Sequence, residues 1–467
     1  MEKISIFNTL GREKQEFKPI KKGWVLFYHC GPTVYWTQHI GNLRGMFCGD
    51  IVRRTFEYNG YKVKHVRNYT DVGHLTSDSD EGEDKMEKGA KREGLSPAEI
   101  ADKYIKIFEE DTHALNLLEP HKKPKATEYV KEMQKMVKDL LKKDFAYQTE
   151  LAIYFDVSKA KDYTKLSGQK LEENISGAGK GEVEDPGKKS PHDFAIWFFK
   201  KGAHANAIQT WDFPGFGQGF PGWHMECSAM SKKLLGDTID VHMGGIEHIP
   251  VHHTNEIAQS EAATGKKYVN YWLHNEHLLV NDRKMAKSEG TGYSLAEVKE
   301  KGFDPLTLRY FFLGAHYRSK QNFTWEALEA AQNGLKNIYN KVRELGGYSS
   351  GIVNTEYKDK FLKAINDDFN TPRATAVFLN VLTWAGLKPE DKLATILDFD
   401  RVFGLDIKKQ LTKSKEKISD DVQELIDKRK KARENKNWEE SDHLRKELEN
   451  LGYTVEDGKE GMKVYKQ

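Results

Sequence analysis

Two cysteines, a histidine pair and a glutamate are the residues of this chain best suited to grip a soft divalent ion. Cys227 stands in PGWHMECSAM, and His252, in VHHTNE, lies 25 residues beyond it. On a helix, His252 and Glu256 are four apart and share a face; His253, three from Glu256, competes for the same place. Cys30 closes the first apolar strand candidate, where the ends of neighbouring strands converge. Two thiolates, an imidazole and a carboxylate form a donor set that suits Zn²⁺. Spacing alone leaves His252 and His253 open.

A second chemistry is written in two short motifs. HIGN, His39 to Asn42, follows a strand candidate and starts a helical pattern. There Gly41 lets the backbone approach a planar ligand, while helix amides and an imidazole meet phosphate oxygens. KMAKS, Lys284 to Ser288, sets two lysines three apart in a loop, a cationic clamp for a triphosphate whose charge shifts during reaction.

The elements that must position these residues follow from the pattern of apolar residues. Val25 to Tyr28 and Tyr61 to Val66 read as strands flanking a helix that begins near Asn42, the unit from which parallel α/β sheets are built. Ser77 to Gly94 is polar without a periodic face and reads as an exposed loop. Helical patterns from Ser96 to about Lys143, then Gly-, Lys- and Asp-rich strand-like pieces from Tyr147 to about Lys200, interrupt the sheet, which resumes near Ile239. An insertion between two halves of one sheet domain accounts for this. Past Leu306 the spacing is helical, which predicts a bundle. A last helix stopped by Gly452 leads into a short hairpin.

Bulk properties bound the answer. A length of 467 residues exceeds one ordinary core. Three cysteines cannot form a disulfide framework, and MEKISIFNTLGREKQEF lacks the apolar stretch of a signal peptide, so a reduced, cytoplasmic location is expected. No apolar run approaches the roughly 20 residues a bilayer span needs. With 73 basic and 71 acidic residues the chain is no polycation, so nucleic-acid contact must use local patches such as KRKKARENK, Lys428 to Lys436.

HIGN early and KMAKS late in one α/β pattern resemble the two signatures of class I aminoacyl-tRNA synthetases, usually HIGH and KMSKS, with Asn42 and Ala286 as departures. CGPTVY (Cys30 to Tyr35), PGWHMECSAM and HHTNEIAQSEAATGK are similar to the motifs of the cysteinyl-tRNA synthetase family. So are PHKKPKATEYV, LRYFFLGAHYRSKQNFTWEALEAA, INDDFNTPRATAVF and the C-terminal KRKKARENKNWEESDHLRKEL. The resemblance covers nearly the whole chain. It departs where Thr70 and Asp71 run into VGHLTSDSDEGEDK rather than a short acidic turn. It departs again where Glu247 stands in place of the family's ribose-site aspartate, and where PHHENE becomes VHHTNE.

The resemblance implies an enzyme that activates L-cysteine with ATP to cysteinyl-adenylate and transfers it to tRNA(Cys). One Zn²⁺ per chain, on Cys30, Cys227, His252 and Glu256, would select the substrate thiol, with Mg²⁺ accompanying ATP. His39, Lys284 and Lys287 would be catalytic. Gly41, Asn42, Glu247 and Lys287 would hold ATP, with Gly31, Thr70 and Trp223 at the cysteine. The C-terminal basic helix, with Trp438 for stacking, would meet the anticodon. The implied fold class is α/β: a Rossmann-like parallel-sheet catalytic domain with a connective insertion, then an α-helical bundle and a small C-terminal α+β anticodon-binding piece. Its expected divisions are residues 1–115 and 206–270 for the two catalytic halves, 116–205 for the insertion, 271–330 for the signature loop and stem contact, 331–412 for the bundle and 413–467 for the end. A monomer is expected. Two readings compete: a zinc-dependent ligase joining cysteine to an amino sugar, as in mycothiol synthesis, and a zinc-organised nucleic-acid-binding protein without catalysis.

Overall fold

The computed structural model describes residues 3–73, 85–169, 185–285, 291–346, 351–413, 420–458 and 461–466. Its centre is a four-stranded, all-parallel sheet in the order Val269–Asn275, Ile239–Gly245, Trp24–His29, Lys62–Arg67. Trp24–His29, WVLFYH, reads as a near-continuous apolar run because both its faces are covered, whereas Lys62–Arg67 at the sheet edge is KVKHVR. Phe27, Val241, Met243 and Leu273 join a core with the Ile40–Tyr58 helix, while Tyr28, Val66 and Trp272 join a second core with the Trp223–Leu235 and His252–Thr264 helices.

Chain order explains where a ligand belongs. From Trp24–His29 the chain steps to one side, to Lys62–Arg67, and returns later on the other side, to Ile239–Gly245. The direction of winding reverses between Trp24–His29 and Ile239–Gly245, so their carboxyl ends leave a crevice at the switch point. Cys30 donates its backbone N–H to Met243 O there, at 3.0 Å.

Between the two halves lies a second, antiparallel sheet of five strands: Ala146–Gln148, Ala152–Phe155, Phe194–Phe199, Gly217–Pro221 and Trp211–Phe213. It runs on to Pro221, past residue 205, where the sequence pattern suggested a boundary. Trp211 and Phe213 flank a single polar residue, too short a signal to read as a strand in isolation.

The polar stretch expected to be a loop is in part a helix. Lys85–Glu93 is helical and buries Met86, Gly89 and Ala90. A Cβ on Gly89 would stand 3.1 Å from Tyr35 O, so this helix lies close against the segment that follows Cys30. Its buried stripe is one methionine and two small residues, which gives almost no apolar periodicity.

Beyond the sheet, Leu278–Val280 pairs with Arg283–Lys284 and with Gln321–Phe323. Helices Trp325–Glu344, Thr355–Ile365, Thr371–Thr383 and Pro389–Phe403 pack together, and Asp420–Glu434 and Trp438–Asn450 precede the Tyr453–Gly458 and Gly461–Lys466 hairpin. No helix among the described residues is long and apolar enough to cross a membrane.

One buried ion cluster ties the Ile40–Tyr58 helix to the bundle. Asp50 accepts from Arg54 at 2.8 Å and from Arg309 at 2.6 Å. Arg309 also donates to the carbonyls of Phe403, Leu115 and Asn116, and Arg54 to those of Arg401 and Asn116. Burial works against a charged Asp50, but Arg54 and Arg309 outweigh it and hold the carboxyl below its usual range.

In the C-terminal basic stretch one arginine serves the fold, while Lys428, Lys430, Lys431 and Lys436 are exposed. Arg429 is fully buried and makes a two-pronged pair with Asp457 at 2.9 Å, while Arg433 and Arg445 reach the same carboxylate. These arginines clamp the hairpin to the helices; Arg429 is enclosed, whereas Arg433 and Arg445 stay 37% and 36% exposed. Trp438 is exposed.

Candidate active site and metal centre

The crevice at the switch point is a cavity of about 460 Å³, within the range of small-ligand sites. Each sheet strand delivers residues to it from its carboxyl end: Cys30 and Gly31 from the first, Asn68 and Thr70 from the second, Gly244, Gly245 and Glu247 from the third, Asn275 to His277 from the fourth. His39, Gly41 and Asn42 close one side; Trp223, Cys227 and His252 close the floor. Close approach of the strand ends requires glycine at 31, where a Cβ would lie 1.6 Å from Asn68 O.

The floor is built on two helices. Trp223 and Cys227 are one turn apart on Trp223–Leu235, and His252, His253 and Glu256 line one face of His252–Thr264. Ligand atoms of Cys30, His252, His253 and Glu256 all lie within 4.8 Å of one another, and all four residues are buried. Cys227, also buried, lines the cavity beside Cys30 and His252 and points its Sγ to Asn68 Oδ1 at 3.8 Å, but it is not one of these four. All three cysteines of the chain are buried free thiols.

The two histidines are told apart by what each ring faces. His252 Nε2 lies 3.0 Å from Glu256 Oε1, its Nδ1 lies 3.0 Å from His224 Nδ1, and its ring stacks on Trp223 with centroids 4.2 Å apart. His252 lines the cavity beside Cys30 and Cys227. His253, fully buried, turns Nε2 to Cys30 Sγ at 3.3 Å and Nδ1 to His274 at 2.7 Å. Its distance to Glu256 Oε1 is 3.9 Å.

Glu256 provides a test of whether this donor set fits a metal. Its Oε2 is held by His242 Nε2 and Tyr268 OH, each at 3.0 Å, whereas Oε1, buried, has no hydrogen-bond partner despite His252 at 3.0 Å. The two atoms are therefore within reach of one another without forming a hydrogen bond, as two ligand atoms of one ion would be. Outer partners on both ligands, His224 behind His252 and the His242–Tyr268 pair behind Glu256, match the way metal ligands are oriented from outside.

Electrostatics agree. Burial opposes charge on Glu256, yet His242 and His252 hold its carboxyl far below the usual range. Burial also opposes charge on His252, but Glu256 and Cys227 draw it up to about 10, so the cluster favours a cation at its centre. Hydrogen bonding from Cys30 brings the Cys227 thiol down to about 7, and burial pushes Cys30 up. Burial, with His242 and His274 beside it, holds His253 well below the usual histidine range.

At the opposite wall, His39 caps the Ile40–Tyr58 helix by accepting Asn42 N–H on Nδ1 at 3.2 Å. Ile40 donates to Tyr293 O at 2.8 Å and His39 bridges Ser294, so the segment following KMAKS returns to HIGN. Lys284 is described in its backbone alone, paired with Leu279, and Lys287 lies outside the described residues. Met285 lines the cavity, its Sδ 3.5 Å from where a Cβ on Gly41 would stand. Glu247 is exposed at the rim, 3.8 Å from His277. Sequence reasoning passed over Asn68, Glu226, His224, His242, Tyr268 and His274. Four histidines between His242 and His253 were the available signal.

Comparison with known proteins accords with this arrangement. The family described as tRNA synthetases class I (C) catalytic domain matches residues 16–333, and the cysteinyl-tRNA ligase anticodon binding domain matches residues 415–464. The chain is 42% identical to a cysteine–tRNA ligase of Treponema denticola, over 97% of this chain and 98% of that one. It is 43% identical to cysteine–tRNA ligase 1 of Burkholderia lata, over 99% and 97%. A methionyl-tRNA synthetase of Mycobacterium tuberculosis bound by methionyl-adenylate shares the fold with TM-score 0.59 at 13% identity, over 85% of this chain and 94% of that one. Catalytic and anticodon-binding matches on one chain, with full-length relatives of one name, lead to a single assignment: the chain belongs to the cysteinyl-tRNA ligase family of class I aminoacyl-tRNA synthetases.

Proposed function

We propose that the protein activates L-cysteine with ATP and transfers it to tRNA(Cys), with Cys30, Cys227, His252 and Glu256 holding one Zn²⁺ against which the substrate thiol is selected. The observation that carries this reading is the convergence of Cys30, Cys227 and His252 on the cavity floor, backed by the unsatisfied Glu256 Oε1. His253, though one of the four clustered groups, takes a supporting role in this reading, since it does not line the cavity and its Nδ1 is engaged by His274.

A bound Zn²⁺ would prefer a thiolate over an alcohol and leave a coordination position for the substrate sulfur. Selection is needed because serine differs from cysteine by one atom, and a steric or apolar pocket separates such isosteres by only roughly 10². Trp223, stacked on His252, walls the pocket and fixes the imidazole. Gly31 and Thr70 lie at the strand ends where the amino-acid amine would sit.

For adenylate formation, the cysteine carboxylate attacks the α-phosphorus and pyrophosphate leaves, so no general base is required. His39 and the helix start at Gly41 and Asn42 would stabilise phosphate oxygens, Glu247 would meet the ribose, and Lys284 and Lys287 would meet the charge growing on pyrophosphate. The pairing of His39 with Ser294 supports the closeness of the two signatures. The anticodon-domain match disfavours a sugar ligase, and the phosphate-binding wall disfavours a purely structural zinc protein.

The test is cysteine-dependent ATP/pyrophosphate exchange followed by charging of tRNA, with zinc measured by elemental analysis. Cys227→Ser is expected to lose zinc and cysteine selectivity together; unchanged zinc in that variant would refute the ligand assignment, and exchange without charging would refute the tRNA step.

A further inference from the structure

We propose that Glu226 is a positioning residue that makes the Thr70 hydroxyl an obligate hydrogen-bond acceptor for the α-ammonium group of the substrate, an inference that rests on the amino-acid pocket described above. Glu226 follows Trp223 by three residues and precedes Cys227, and it lies outside the cavity lining, fully buried behind Thr70. Its Oε2 accepts from Thr70 Oγ1 at 3.0 Å.

The direction of this bond is fixed by a chain of groups whose donor or acceptor character leaves one arrangement. Gly31 N–H, a backbone donor, bonds Asn68 Oδ1 at 2.9 Å. That makes the other end of the amide its NH₂, and Asn68 Nδ2 donates to Thr70 Oγ1 at 3.2 Å. Thr70 therefore sends its single proton to Glu226, because a carboxylate only accepts. The backbone of Thr70 is engaged as well: its N–H donates to Pro32 O and its carbonyl accepts from Val34 N, both at 3.1 Å. What Thr70 offers the cavity is its remaining oxygen lone pair, with a buried carboxylate behind it. Asp71, held by Thr127 N–H and hydroxyl, adds a second carboxylate next in the chain. An acceptor backed by negative charge recognises an ammonium group and disfavours a carboxylate.

Glu226→Gln keeps the size but allows an amide NH₂ to donate to Thr70, which would turn the hydroxyl proton into the cavity. In ATP/pyrophosphate exchange, the KM for L-cysteine is expected to rise by about tenfold or more, with kcat little changed. Inhibition by cysteamine, which keeps thiol and ammonium, is expected to weaken in parallel. Inhibition by 3-mercaptopropionate, which keeps thiol and carboxylate, is expected to stay within about threefold, because it never used the ammonium contact. Equal weakening of all three would show a merely structural role and overturn the proposal, as would an unchanged KM for cysteine. Zinc content of the unaltered enzyme reads the metal assignment separately, so that assignment and the role of Glu226 fail independently.

Discussion

Replacing Asp50 by Asn should be among the most destabilising single changes outside the active site. The carboxylate is shared by two guanidinium groups, Arg309 at 2.6 Å and Arg54 at 2.8 Å, and also accepts Leu118 N–H at 2.8 Å. Its side chain is 2% exposed and those of the two arginines 0% and 9%, so solvent screening is slight. Removing one member of a buried ion cluster costs about 3–5 kcal/mol, mostly from the charge left unpaired. Here two charges are left facing each other, against which Asn keeps a carbonyl acceptor, so we expect about 4 kcal/mol. That is roughly a thousandfold in the folding equilibrium. Burial already pulls Arg309 down to about 10 against the pull of Asp50, the strain the variant would expose.

The assay is the denaturant midpoint and melting temperature of enzyme and variant across pH. The carboxyl of Asp50 is depressed in the folded state, so its stabilisation is present above the unfolded value near 3.8 and is lost as pH falls through the lower folded value. The gap between enzyme and variant should therefore be full at neutral pH and narrow only in strong acid. A triple replacement, Asp50→Leu with Arg54→Leu and Arg309→Met, should not recover the loss, because it leaves the carbonyls of Phe403, Leu115, Asn116 and Arg401 and the Leu118 N–H without these partners. A midpoint for Asp50→Asn within about 1 kcal/mol of the unaltered enzyme would refute the reasoning.

Three further outcomes are expected. Trp223→Ala removes the ring stacked on His252 and should raise the KM for cysteine about tenfold with a smaller loss of zinc affinity, read by exchange kinetics and chelator competition. Gly31→Ala places a methyl group 1.6 Å from Asn68 O, so the strand ends must part, and kcat/KM for cysteine should fall by about 10² or more. Arg429→Ala removes the buried two-pronged partner of Asp457 and leaves the hairpin to the part-exposed Arg433 and Arg445; charging should show a raised KM for tRNA while ATP/pyrophosphate exchange is unchanged.

Much of the site is legible in the sequence because its residues sit in long, distinctive motifs at strand ends and helix starts. HIGN does begin a helix, PGWHMECSAM does cover a helix start, and VHHTNE opens a third. The helix at Lys85–Glu93 escapes notice there because its buried stripe is built from Met86, Gly89 and Ala90. The clamp at Asp457 escapes notice because a buried arginine and a solvated one look alike in a basic run.

Elements and their chemistry were determined by the sequence itself, since apolar spacing, caps and motif residues act between near neighbours along the chain. Which side chains meet was decided by tertiary structure alone. Cys30 and Cys227 come together because the helix carrying Cys227 packs against Trp24–His29, the strand that leads into Cys30, and against its neighbour Lys62–Arg67. The choice between His252 and His253 as the group facing the cavity is likewise set by the rotation of one helix against the sheet. A spacing of three or four residues from Glu256 allows either histidine; His253 packs against Trp272 and His274, and His252 is the one that lines the cavity.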